Sequence, residues 1–246
     1  MEGEVVTLQD VFLFDYSAGV DEQGRFIMLQ ARPLRLEGRD TDGKAVRAEI
    51  PEGAQVLLSR ESALLPDLLR DMMKFSTNLT AEVIGMSASA RRGITGHGAS
   101  GQAMSDWLRR EGGGGGARFV DHSGLGGASR ISAGEMVRAL VTLGPKAGLR
   151  GLMKEITVRD MGGKGKMAVR VEAKTGTLNF VSALVGYMTG PDGTEMAFAI
   201  FTGDAARRDA VPDAEKESPA GAGAWVRRSK RLQLQLIERW AKVSGT

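Results

Sequence analysis

The stretch VEAKTGTLNF, residues 171–180, sets an ammonium, two hydroxyls and a glycine side by side after an alternating, strand-like run. Successive side chains of a strand point to opposite faces, so Lys174 and Gly176 share one side and Thr175 and Thr177 the other. Gly176 carries no side chain, which lets a ligand lie close against the backbone. Such an edge would offer an ammonium, hydroxyls and free backbone N–H groups. That combination suits a carboxylate, and an oxyanion developing on an acyl group. A plain strand end with solvated polar residues accounts for the same four residues equally simply. A second cluster, Ser76-Thr77-Asn78 within KFSTNLTAEV (residues 74–83), falls between two helical stretches. Ser, Thr and Asn are what a helix start prefers, so capping explains this cluster when it is taken alone.

Other candidate sites carry less. Asp121-His122-Ser123 names the three members of a hydrolytic triad, but adjacent residues do not converge as a triad requires. His97 lies in a glycine-rich loop with no histidine or carboxylate at ligand spacing, so no metal site is expected. GGKGK at 162–166 lacks the spacing and the Ser/Thr of a phosphate loop and reads as a basic turn. The chain has no cysteine, which excludes disulfides, thiolate catalysis and cysteine-ligated zinc. No cofactor is implied.

These residues must be positioned by a core, and the composition allows one. The 246 residues are 42% hydrophobic and 26% charged, with 34 glycines and a formal net charge of only +3. That charge is too small to argue for nucleic acid, and the arginine clusters (Arg91-Arg92, Arg109-Arg110, Arg207-Arg208, Arg227 to Arg231) read as solvated helix ends and loops. No run approaches the ~18 apolar residues of a membrane span. The first ten residues, MEGEVVTLQD, lack a signal-peptide pattern.

Along the chain, residues 5–14, 25–36 and 54–59 read as short strands, with turns at 21–24 and 40–45. At Pro66 the apolar period becomes helical, and a helix should end near Phe75. A second helix is expected from about Thr80 to Arg91. GITGHGAS reads as a loop, after which Ser100 caps a helix ended by Gly112. The glycine run 112–116 reads as a surface linker. Ser132 and Glu135 form a capping box opening a helix through Leu140. Three strands follow, Ala168–Ala173, Ala183–Thr189 and Glu195–Thr202, with a hairpin turn at GPDGT. Residues 204–224 read as loop. Leu232, Leu236, Ile237 and Trp240 make the apolar stripe of a C-terminal helix. The order implies an α/β or α+β domain with helices packed on an antiparallel sheet.

Taken together, and in this order, Ser76-x-Asn78 and Lys174-Thr175-Gly176 resemble the second and third motifs of the penicillin-recognising serine enzymes. The flanks LLPDLLRDMMKFSTNLTAEVIG, FVDHSGLGGASRISAGEMVRAL and AKTGTLNFVSALVGYMTGPDGTEMAFAIF are similar to low-molecular-mass penicillin-binding proteins of the penicillin-binding protein 4 type. These are D-alanyl-D-alanine carboxypeptidases and endopeptidases with extra domains inserted in the catalytic domain. The likeness covers residues 56–203 well and the C-terminal helix loosely.

The resemblance implies a β-lactamase/transpeptidase-like antiparallel sheet flanked by helices. It places residues 1–55 at the end of an inserted β-rich domain, and residues 56–246 in the C-terminal part of the transpeptidase-like domain, with the sheet incomplete on its N-terminal side. It implies a proton-relay role for Ser76, an orienting role for Asn78 and a cationic role for Lys174. Thr175 and Thr177 would take the terminal carboxylate of the peptide beside Gly176, and the Thr177 N–H would be half of an oxyanion hole. The implied substrate is a peptidoglycan peptide ending in D-Ala-D-Ala. β-Lactams are the implied inhibitors, and the periplasm or cell envelope the implied location. The Asp121–Leu125 stretch is structural in this family. The sequence departs from the pattern at one point: no serine has lysine three residues on, so the acylated serine and its lysine base are missing. The chain therefore reads as the C-terminal part of such an enzyme. It is inactive in acylation by itself, and either needs a separate N-terminal segment or serves as a non-catalytic binding fragment. A β-lactamase relative shares the motifs but would not be expected to carry the β-rich N-terminal part.

Overall fold

The computed structural model describes residues 18–20, 26–28, 62–113, 115–158 and 169–244, and the chain divides into two compact units, Met1–Glu61 and Ser62–Thr246. In the first unit, strands β1 (Ala18–Val20) and β2 (Phe26–Met28) pair antiparallel, with Gly19 opposite Ile27. β2 falls within the expected strand 25–36. The expected strands 5–14 and 54–59 and the basic turn 162–166 lie outside the described residues.

The second unit opens with four helices: α1 (Leu65–Phe75), α2 (Asn78–Ala90), α3 (His97–Gly112) and α4 (Ala133–Thr142). A 3-10 turn at Leu149–Leu152 leads into a four-stranded antiparallel sheet of β3 (Lys154–Glu155), β4 (Arg170–Leu178), β5 (Val181–Thr189) and β6 (Glu195–Gly203), lying side by side in that order. The short helix α5 (Ala205–Asp209) and the long α6 (Ala222–Ser244) complete it. No helix among the described residues is long and apolar enough to cross a membrane.

Strand alternation explains the layering. Val171 and Ala173 of β4, Leu184 and Met188 of β5, and Phe198 and Ile200 of β6 point to one face, where Ile237 and Ala241 of α6 close the core. Val171, Met188 and Ile237 are fully buried, and each side chain of this size contributes roughly 1.5–3 kcal/mol when removed from water. The opposite face meets the helical layer. There the Tyr187 hydroxyl donates to the Leu140 carbonyl of α4 at 2.8 Å, and Lys174 meets the α1–α2 corner.

The helix at Pro66, the capping box and the GPDGT hairpin stand where the sequence places them. Ser132 accepts from the Glu135 N–H while Glu135 accepts from the Ser132 N–H at 2.9 Å. Several expectations need correction. α2 starts at Asn78, two residues before Thr80. α3 starts at His97, because Gly96 at φ 88° turns the chain into the helix. Ser100 is therefore inside α3, fully buried, and bonds Ser89 at 2.6 Å instead of capping. β4 runs on through the whole Lys-Thr-Gly-Thr segment to Leu178. Residues 205–209 are helical. Of the expected α6 stripe, Ile237 is fully buried and Leu236 and Trp240 pack against the core, but Leu232 is 45% exposed, and Ser229, Gln233 and Ala241 are buried as well.

Candidate active site

The site begins where α1 ends. Pro66 in the first turn pre-sets the helical backbone, and Ser76 stops the helix by taking the left-handed conformation, φ 57° and ψ 45°. Its N–H donates to the Met72 carbonyl at 2.9 Å. A non-glycine residue in that region costs on the order of 1 kcal/mol, so the corner is held under strain. The reading of Ser76-Thr77-Asn78 as helix caps does not hold. Thr77 occupies the cap position of α2 but makes no side-chain capping bond, and the Ser76 hydroxyl is turned elsewhere.

It is turned to Lys174. The Lys174 ammonium donates to Ser76 Oγ, and also to the Thr175 carbonyl at 2.8 Å. Residues remote in sequence thus meet between the α1–α2 corner and β4. Burial pushes the Lys174 ammonium below the usual lysine range. Asn78 opens α2 on the same corner; it is exposed, and its side chain makes no hydrogen bond among the described residues, the lysine being bonded to Ser76.

Thr175, Gly176 and Thr177 are exposed on the outer edge of β4. β3 pairs only with Glu172 and Ala173, apart from one further bond, Ile156 N–H to the Val171 carbonyl. From Lys174 onward no strand among the described residues covers that edge, so its backbone groups are open to an extended ligand. On the other side the ladder is complete, with Lys174 opposite Val185, Gly176 opposite Ala183 and Thr177 opposite Ser182. Neither backbone nor crowding demands glycine at 176. Its φ is not positive, and a Cβ would only reach Ala183 Cβ at 3.4 Å. The missing side chain instead keeps the strand low beside Lys174.

A supporting network lies one helical turn behind. Glu82 follows Asn78 by four residues on the same face of α2. It accepts from the N–H groups of His122 and Ser123, at 3.2 and 2.9 Å, and stands 2.8 Å from His97 Nε2. Burial pushes the Glu82 carboxyl up, but hydrogen bonds from Ser123, His97 and the backbone of residues 122–123 outweigh it and hold it at about 2. His97 therefore does have a carboxylate partner and a neighbouring histidine, the rings of His97 and His122 lying 6.4 Å apart. The three do not converge on a point, because His122 turns Nε2 to the buried Ser100 hydroxyl at 2.7 Å. Asp121 accepts from Gly126 N–H and from the Ser123 and Ser129 hydroxyls, at 2.6, 3.2 and 3.0 Å. Asp121-His122-Ser123 is a loop staple, not a triad. Sequence reasoning passed over Glu82; the signal for it is the four-residue spacing from Asn78.

Chemically, a partly desolvated lysine bonded to a hydroxyl can hold and pass a proton, and the adjoining open strand can grip an extended peptide. Known proteins resemble this chain in sequence and fold. The model of the D-Ala-D-Ala carboxypeptidase 3 (S13) family matches residues 18–220. D-alanyl-D-alanine carboxypeptidase DacB of Haemophilus influenzae is 28% identical over 193 residues, covering 69% of this chain and 38% of the relative. The D-alanyl-D-alanine carboxypeptidase of Actinomadura sp. is 30% identical over 186 residues, covering 67% and 34%. The crystal structure of penicillin binding protein 4 from Haemophilus influenzae, complexed with a β-lactam, superposes with a TM-score of 0.52 at 25% identity, covering 70% of this chain and 41% of that one. The chain thus spans about two-fifths of the length of the relatives it matches. With the family model matched across most of its length, the chain belongs to the D-Ala-D-Ala carboxypeptidase 3 (S13) family.

Proposed function

We propose that this chain forms the leaving-group and carboxylate side of a serine-type D-alanyl-D-alanine carboxypeptidase or endopeptidase site acting on peptidoglycan in the cell envelope. The observation that carries it is the Lys174–Ser76 hydrogen bond beside the unpaired edge of β4. In this reading an acyl-D-Ala-D-Ala peptide lies along that edge, its terminal carboxylate taken by Thr175 and Thr177. Lys174 supplies positive potential and Ser76 relays a proton to the departing D-alanine. Asn78, exposed on the same corner, orients the peptide amide. The Thr177 N–H supports the oxyanion. β-Lactams would occupy the same edge. The domain assignment goes with this: residues 1–55 as the end of an inserted domain, and 56–246 as transpeptidase-like.

The alternative, a binding fragment that needs a nucleophile from another segment or chain, is favoured by one feature: no serine has lysine three residues on. The test has two arms. A fluorescent penicillin should leave this chain without covalent label, and labelling would overturn the claim that it lacks the nucleophile. A diacyl-lysyl-D-Ala-D-Ala peptide should shift the amide resonances of residues 174–178, an effect lost in Lys174→Ala. Equal shifts from a peptide ending in L-Ala-L-Ala would sink the reading.

A further inference from the structure

Glu172 precedes Lys174 by two residues on β4, and strand alternation puts both on the face that meets the helical layer. Their Cα atoms are about 7 Å apart at the usual rise of a strand, within reach of two long side chains. A free glutamate there would pair with the lysine. Glu155 stands directly across from Glu172 on β3 and adds a second negative charge. Glu172 is nevertheless held elsewhere. Arg150, from the 3-10 turn, donates to Glu172 Oε2 from Nε at 3.0 Å and from Nη2 at 2.9 Å. The Arg170 Nε takes Oε1 at 2.7 Å. Both carboxylate oxygens are thus occupied by arginines.

Arg150 is itself immobilised. It reaches Glu195 at 2.6 Å and the Thr189 hydroxyl at 2.6 Å, and lies 5.7 Å from the centre of the Tyr187 ring, whose hydroxyl is bonded to α4. Arg170, by contrast, is largely exposed. Lys74, two residues before Ser76, lies over the Phe75 ring.

We infer that Arg150 is a positioning residue for Lys174: by clamping Glu172 it keeps the lysine ammonium free for Ser76 and for an incoming carboxylate. The inference rests on Lys174 being the cation of the proposed site. It predicts a property of Lys174 that can be read without any turnover.

The experiment follows the Cε resonance of Lys174 against pH in the full chain labelled with 13C-lysine, assigned by comparison with Lys174→Met. Arg150→Met should raise the Lys174 pKa by about one unit, as expected when a carboxylate comes within pairing distance. Glu172→Gln alone should not raise it. The double variant R150M/E172Q should titrate like the wild type. An unchanged Lys174 titration in Arg150→Met overturns the inference. So does a double variant that stays as high as the single one, since the effect would then be only the loss of the arginine's own charge. Should R150M fail to fold, Arg170→Met and R170M/E172Q, altered at a more exposed arginine, carry the same comparison with a smaller rise. An ion pair that merely braces the sheet would move the melting midpoint and leave the Lys174 titration where it was. Failure of the peptide-binding test leaves this titration readable, so the two readings fail separately.

Discussion

At the scale of the residue, the left-handed backbone of Ser76 is the most telling feature of the site. Glycine would adopt φ 57° freely, so a serine there sacrifices backbone energy for its hydroxyl. Ser76→Gly should therefore stabilise the chain by up to ~1 kcal/mol in denaturant titration while weakening binding of a D-Ala-D-Ala peptide. A variant that is no more stable, or that binds as before, would remove the link between strain and function. Glu82 offers a second measurable case. Its carboxyl titrates at about 2, against about 4.3 for an unfolded glutamate, so the folded state binds that proton less readily. The stability it contributes is present above pH ~4.3 and is lost as pH falls towards 2. Glu82→Gln should cost about 2 kcal/mol at pH 7, and the difference should close between pH 4.5 and 2. A constant gap across that range would show that Glu82 acts by packing alone.

At the scale of the element, β5 is the centre of the sheet and its tightest point is Gly186. A Cβ there would run into the Glu172 carbonyl and lie 2.6 Å from Ala173 Cα, backbone atoms of β4 that no side-chain rotation can move. Gly186→Ala should destabilise the chain by roughly 3 kcal/mol or more and separate β4 from β5, detected as loss of amide protection in both strands. Protection equal to wild type would contradict the packing described. The same strands show what a sequence can and cannot announce. The GPDGT turn and the capping box at Ser132 are local signals, and local signals survive folding. The Asn179-Phe180 turn between β4 and β5 has no glycine, because Phe180 takes φ 57° under tertiary packing, with its ring fully buried near Trp225. In α6 the apolar period finds Leu236, Ile237 and Trp240 but misses the polar part of the buried face, Ser229 and Gln233, which hydrogen-bond Thr202 and Ser182 at 2.7 and 3.1 Å. The meeting of Lys174 with Ser76 was legible as paired motifs. The clamp of Arg150, Glu172 and Glu195 was not, since its parts come from separate elements and no spacing links them.

At the scale of the molecule, much of the apolar surface of the first two helices is exposed, although Leu68, Leu69, Met72 and Met73 are half-buried. α1 is amphipathic yet buries none of its residues fully, and Leu64, Leu65, Phe75, Leu79 and Val83 are each half or more exposed. Leu79 and Val83 are four residues apart on one face of α2, and Phe75 and Leu79 flank the Ser76–Asn78 corner. Exposed apolar side chains and an open strand edge each drive association in water. The chain should therefore self-associate at micromolar concentration, with a sedimentation coefficient that rises with loading. Replacing Leu65, Leu79 and Val83 by Lys, Gln and Lys should shift it towards monomer without lowering the melting midpoint, because these side chains contribute little to the core. Retention of the oligomer in the triple variant would move the driving surface to the β4 edge, where Thr175→Pro, which blocks a backbone donor, would then be the change that releases the monomer.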